Sequence, residues 1–231
     1  MDQQELYGNW WPPQKAGVLL FKANPIRFDY FKHFIGNWKN KKALDVGCGG
    51  GYICEYLAGL DAIVHGTDIM QRSLDEAQNH AIQNNLRIEY SLCTEEKLPF
   101  NDNDIDLVTC FDVLEHVSDK QITLKEIYRV LNPGGWFFFD TPNKTFLSKL
   151  LAIWLVEDVF RAIPKGGHDW NNFINPDDLR RLLEKTGFKN IDFAGIKLNL
   201  GQWSKLGLPA KISPTGHKGF MYFGAAMKPI E

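Results

Sequence analysis

From about residue 42 to 141 the chain alternates short apolar runs with segments of helical period. KALDVGC (42–48) is an apolar run that ends in glycines, and GYICEYLAGL reads as the helix after it. AIVHGTD (62–68) predicts a second strand and SLDEAQNHAIQNN (73–85) its helix, with Ser73 and Glu76 spaced as a capping box. IEYSLC, IDLVTCF and GWFFFDT predict three further strands, the last preceded by a turn at NPGG. Strands that alternate with helices predict an α/β fold, a parallel sheet covered on both faces. The pattern breaks at 143–175, an apolar-rich insertion. PDDLRRLLEKTGF then predicts a helix ending at Gly187, and NIDFAGI and GFMYFGAAM two closing strands. Residues 1–40 read as a helical, aromatic-rich extension.

Composition narrows this picture without redirecting it. At 231 residues and 44% hydrophobic content the chain suits one domain with a substantial core. Its expected parts are the extension (1–40), a core (41–142), the insertion or lid (143–175) and the C-terminal part of the sheet (176–231). The net charge of −2 gives no global attraction to nucleic acid or anionic membrane. Cys48, Cys54, Cys93 and Cys110 form no CxxC pair, which fits a reducing cytoplasm. No signal-peptide pattern opens the chain and no run approaches the ~20 apolar residues of a spanning helix. The expectation is a cytoplasmic protein that at most lies on a membrane.

The candidate chemistry begins at LDVGCGGGY. A strand end, then Gly47, Gly49, Gly50 and Gly51, then a helix lets backbone amides approach a ligand closely. A dinucleotide fingerprint would need glycine at 52, where Tyr52 stands. Asp45, two residues before the first glycine, would repel a pyrophosphate and attract the ammonium and sulfonium of S-adenosylmethionine. Asp68 ends the second strand about 20 residues on, where a carboxylate holds ribose hydroxyls. Ile69, which follows it, joins the candidate cofactor-binding set. Tyr52 and Asp45 together disfavour a nicotinamide-dependent dehydrogenase.

LDVGCGGG, the Asp of HGTD, and LNPGG before an aromatic strand resemble the motif series of class I S-adenosylmethionine-dependent methyltransferases. That resemblance implies a Rossmann-like, seven-stranded, mostly parallel sheet with helices on both faces and the last strand antiparallel. It also implies an acid on the adenine side, for which CTEEKLPF offers Thr94 and Glu95 or Glu96. Further segments, WW at 10–11, NPIRFDY, TCFDVLEHV, TPNKT and IPKGGHDWNNFINPDDL, are similar to the O-methyltransferases of ubiquinone biosynthesis. The resemblance implies methylation of a catechol-like hydroxyl on a polyprenylated ring, with Arg27, Gly47, Asp68 and Phe111 on the cofactor. It also implies a divalent ion at FDVLEHV, where Asp112 stands in place of a common glutamate.

Residue chemistry bears on that last point independently. If 112–117 form a helical turn, Asp112, Glu115 and His116 fall on one face and could ligate a divalent cation such as Mg²⁺. The competing reading has Asp112 as a helix cap. Without a metal, His116 is a candidate base for the acceptor hydroxyl, and His168 in the GGHDW loop is its rival. In the insertion, Phe146, Leu147, Leu150, Leu151, Trp154 and Leu155 recur at helical spacing. They predict either a helix on the mouth of the site or, through 144–163, peripheral membrane contact. Two alternatives stay open: a methyltransferase for another small acceptor, and a non-catalytic S-adenosylmethionine-binding protein. Oligomeric state is not encoded in any of these features.

Overall fold

The computed structural model describes residues 10–11, 16–149, 170–198 and 210–230. The elements run α1 (Ala16–Ile35), β1 (Lys42–Val46), α2 (Tyr52–Ala58), β2 (Ile63–Asp68), α3 (Gln71–Gln83), β3 (Ile88–Leu92), β4 (Ile105–Phe111), α4 (Lys120–Val130) and β5 (Leu131–Pro142). After a helical turn α5 (Phe146–Ser148) come α6 (Pro176–Thr186), β6 (Lys189–Leu198), β7 (Ala210–Ser213) and β8 (Met221–Met227). The strand order is β3-β2-β1-β4-β5-β8-β6-β7. β1 to β5 are mutually parallel, and β8 lies antiparallel between β5 and β6. The sheet therefore has eight strands rather than the seven expected, because β7 pairs with β6 as an added edge.

Alternation along each strand sorts side chains between the two faces. Leu44, Val46, Val108, Cys110, Phe137 and Phe139 face a core closed by α4 and α6. Ala43, Leu107, Phe111 and Phe138 face a second core under α1, α2 and α3. Helix α1 presents Asn24, Arg27, Phe28 and Phe31 inward at helical spacing, and Phe31 stacks on Phe138 and Phe111. The same alternation places Asp45, Thr109 and Asp140 on the α1 side and Thr141 on the other.

Three local expectations change. Helix α3 starts at Gln71 with Met70 as its cap residue, so Ser73 and Glu76 are not a capping box. Both reach across instead to Trp10: Ser73 Oγ accepts from its indole N–H at 3.1 Å and Glu76 from its backbone N–H at 2.7 Å. NPGG lies inside β5 as a bulge, since Leu131 faces Ile105 while Trp136 faces Leu107. Residues 112–117 form no helix; Asp119 caps α4, accepting from the amides of Gln121 and Ile122. Most of the predicted 144–163 helix falls outside the described residues. Among those described, no helix is long and apolar enough to cross a membrane.

Candidate active site

The carboxyl ends of β1, β2, β4 and β5 form one edge, and two groups of side chains meet there. On the first side, the chain leaves β1 through Gly47 at φ 71°, where a side chain would collide with Val113 at 2.3 Å. The amides of Gly47 and Cys48 donate to the carbonyl of Thr67, tying the loop to β2. The amide of Gly49 donates to Asp68 at 2.9 Å, and the other oxygen of Asp68 accepts from Met70 N–H. Burial pushes the Asp68 carboxyl up against those bonds.

Asp45 is 2% exposed beneath this loop. Its partners are neutral: the Thr109 hydroxyl at 2.7 Å and the Cys54 thiol at 3.6 Å. Burial pushes it up to about 7, although those bonds and the more distant Arg27 favour its charged form. A buried carboxylate contacted only by neutral donors suits a cationic ligand. Ile69 is 56% exposed beside Asp68, a bare apolar surface that suits an adenine ring. Glu95 is half-buried and raised by burial and by repulsion from Asp68 and Glu96, while Thr94 is exposed. These features fit an adenosyl ligand that carries positive charge.

The second group surrounds Arg27, which is 3% exposed. Its Nε donates to Asp140 and one terminal nitrogen to Asp112, each at 2.6 Å, and the guanidinium lies 4.9 Å from the centre of the Phe111 ring. Burial would lower the Arg27 pKa, but the two carboxylates outweigh it and hold the group charged. Asp112 sits at φ 56°, and its amide donates to Asp140 at 2.9 Å. Phe111 is buried against Phe28 and Phe31.

The metal set read from the sequence is not assembled. Asp112 turns to Arg27 on the α1 face, Glu115 is buried on the opposite face, and His116 is exposed. Without a helical turn the three donors share no face, and among the described residues no group of three His, Cys, Asp or Glu could hold a metal ion. Glu115 accepts from the Thr141 hydroxyl at 2.9 Å through one oxygen, while Oε1 has no partner. Burial and the neighbouring Asp112 raise its carboxyl. Two residues beyond Thr141, Asn143 donates through Nδ2 to Lys218 O, and its Oδ1 is likewise buried without a partner. His168 lies outside the described residues.

Sequence reasoning missed Asp140, Thr109 and Asn143. Asp140 carried a readable signal: like Asp68, it is an acid that follows the apolar run of its strand. Thr109 and Asn143 carried none, because a hydroxyl inside a strand and an amide after a proline fit many structural roles.

Comparison with known proteins agrees with this geometry. The methyltransferase-domain family matches residues 44–139. The chain is 40% identical over 192 residues to the ubiquinone biosynthesis O-methyltransferase of Coxiella burnetii, covering 83% of this chain and 82% of that one. It is 35% identical over 196 residues to the enzyme of that name from Hydrogenovibrio crunogenus, covering 84% and 81%. Among solved structures, a SAM-dependent methyltransferase from Aquifex aeolicus superposes with a TM-score of 0.61 at 17% identity, over 87% of this chain and 89% of the other. A phosphoethanolamine N-methyltransferase of Haemonchus contortus, in complex with S-adenosylhomocysteine, gives 0.66 at 19% identity, over 94% and 58%. These two likenesses establish the fold.

Proposed function

Because this chain belongs to the ubiquinone biosynthesis O-methyltransferase family, we propose that it methylates a phenolic hydroxyl of a polyprenylated quinone precursor, with S-adenosylmethionine as donor. The observation that carries the donor assignment is Asp45, a buried carboxylate under the glycine loop contacted only by neutral donors. When bound, S-adenosylmethionine supplies an electrophilic methyl group on a sulfonium centre. Asp45 complements its positive charge, Asp68 takes the ribose hydroxyls, and Ile69 with Glu95 faces the adenine. Arg27 holds Asp112 and Asp140 in place, so that the loop after β4 keeps one shape beside the donor.

The acceptor hydroxyl must lose its proton, and a phenol with pKa near ~10 does not do so unaided at neutral pH. Glu115 Oε1 and Asn143 Oδ1, buried acceptors that have no donor, support a place for that hydroxyl, with Glu115 taking the proton. His116, exposed on the same turn, is the alternative base. Phe146, 79% exposed at the start of the insertion, supports a seat for the apolar tail. The test is transfer of labelled methyl to a prenylated dihydroxybenzoate, compared with an aromatic amine of the same shape. Phenol-selective transfer that falls at least tenfold in Glu115→Gln is expected. Transfer to the amine alone would overturn the O-methyl reading, and loss of transfer in His116→Ala but not Glu115→Gln would move the base to His116.

A further inference from the structure

Gly50 poses a question that backbone conformation does not answer. Gly47, Gly49 and Gly51 have positive φ, whereas Gly50 does not. What forbids a side chain at Gly50 is Trp10, whose Cβ and Cγ would lie 2.3 Å from an added Cβ. The same indole leaves 2.6 Å at Gly49. Trp10 is fixed from three directions: its N–H donates to Glu76, its indole N–H to Ser73, and its carbonyl accepts from the Tyr52 hydroxyl. Trp11 donates from its indole to Gly50 O at 2.7 Å and stacks on His80 with ring centres 3.6 Å apart. His80 in turn meets Glu55 of α2 at 2.6 Å.

We propose that Trp10 and Trp11 form a strap across the glycine loop, with Trp10 a positioning residue for the cofactor site. The strap touches the loop, α2 and α3, and the amide of the glycine it covers, Gly49, is the one that donates to Asp68. Docking of the strap therefore fixes the loop in the shape that presents Asp68 and the loop amides together. The coupling is reciprocal: whatever factor the docked strap adds to cofactor affinity, bound cofactor adds to docking. This inference rests on the cofactor reading of the loop, not on the identity of the acceptor.

The test is a double-variant cycle on the full chain, read by calorimetric titration with S-adenosylhomocysteine. Trp10→Ala is expected to weaken binding at least tenfold, Trp10→Phe far less. Gly50→Ala, which expels the indole, should match Trp10→Ala, and the double variant should be no weaker than either. The KM for donor should rise while the KM for acceptor stays within twofold. Saturating S-adenosylhomocysteine should slow trypsin cleavage ahead of α1 in the wild type and in Trp10→Phe, but not in Gly50→Ala. Additive effects in the double variant, or affinity within twofold of wild type in Trp10→Ala or in Gly50→Ala, would overturn the strap. If Trp10→Ala does not fold, Gly50→Ala and Trp10→Phe decide alone. A wild type that binds no S-adenosylhomocysteine would overturn the cofactor reading itself, and the strap with it.

Discussion

Two sets of acids stand at the same sheet edge and are held in opposite ways. Asp45 and Asp68, at the ends of β1 and β2, are contacted by backbone amides, a hydroxyl and a thiol. Asp112 and Asp140, beside the ends of β4 and β5, are contacted by a buried guanidinium. Neutral donors steady a carboxylate without cancelling its charge, whereas Arg27 offsets one of the two negative charges it meets. One side of the edge thus keeps negative potential for a ligand, and the other uses its charge to join α1 to the sheet. The family resemblance puts Arg27 on the cofactor, and within the protein its guanidinium binds Asp112, Asp140 and Asn24.

The sharpest way to break this contrast is to remove the cation. Arg27→Met leaves Asp140, which has no exposed surface and whose carboxyl burial already pushes up to about 7, as a buried acid without its cationic partner. The expected loss is about 3–5 kcal/mol of unfolding free energy at pH 7, measured by urea denaturation. Pairing it with Asp140→Asn should recover part of that loss, because the amide leaves no charge behind. A loss below about 1 kcal/mol would mean that Arg27 does not neutralise this side.

The opposite substitution on the other side should stabilise. Asp45 has a folded pKa of about 7, above its unfolded value near ~3.9, so the folded state binds the proton more tightly. Its carboxylate therefore costs stability progressively as pH rises from about 4 to about 7, and the cost is complete above that. Asp45→Asn should gain nothing at pH 4 and up to about 4 kcal/mol at pH 8, an upper bound from the shift. The same variant should bind S-adenosylmethionine about ten- to a hundredfold more weakly. Equal stability of the two proteins at pH 4 and pH 8 would show that Asp45 is not held as an unneutralised acid.

How much of this the chain announced follows from the range of each interaction. The strands of the parallel core, the glycine turn and Asp68 rest on local period and spacing, so their place could be read directly. Ser73 and Glu76 could not be assigned that way, because the spacing of a capping box is equally the spacing that holds Trp10, more than sixty residues away. The antiparallel β8 was expected, but the added edge strand β7 was not, since pairing with β6 leaves no local mark. The acid turn misled for a related reason: three donors at i, i+3 and i+4 converge only on a helix, and at φ 56° Asp112 leaves helical conformation at the first of them. Arg27 reaches Asp140 across 113 residues, a contact no local pattern encodes.

The smallest expected effect separates Asp112, read from the sequence as a helix cap, from Asp119, which caps α4 in the structure. Asp119 accepts from Gln121 at 2.8 Å and from Ile122 at 3.1 Å, satisfying two of the amides that open α4. It is exposed and touches neither Arg27 nor the glycine loop in any contact of the described structure. Asp119→Ala should therefore cost about 1 kcal/mol in urea unfolding and leave the affinity for S-adenosylmethionine unchanged. Asp112→Ala should differ in kind, because it takes one carboxylate from Arg27 and puts a residue with a Cβ and no side-chain hydrogen bond at positive φ. If the two variants lose stability and affinity alike, the acid turn and the start of α4 act as one unit, and the division between ligand-facing and helix-holding acids at this edge fails.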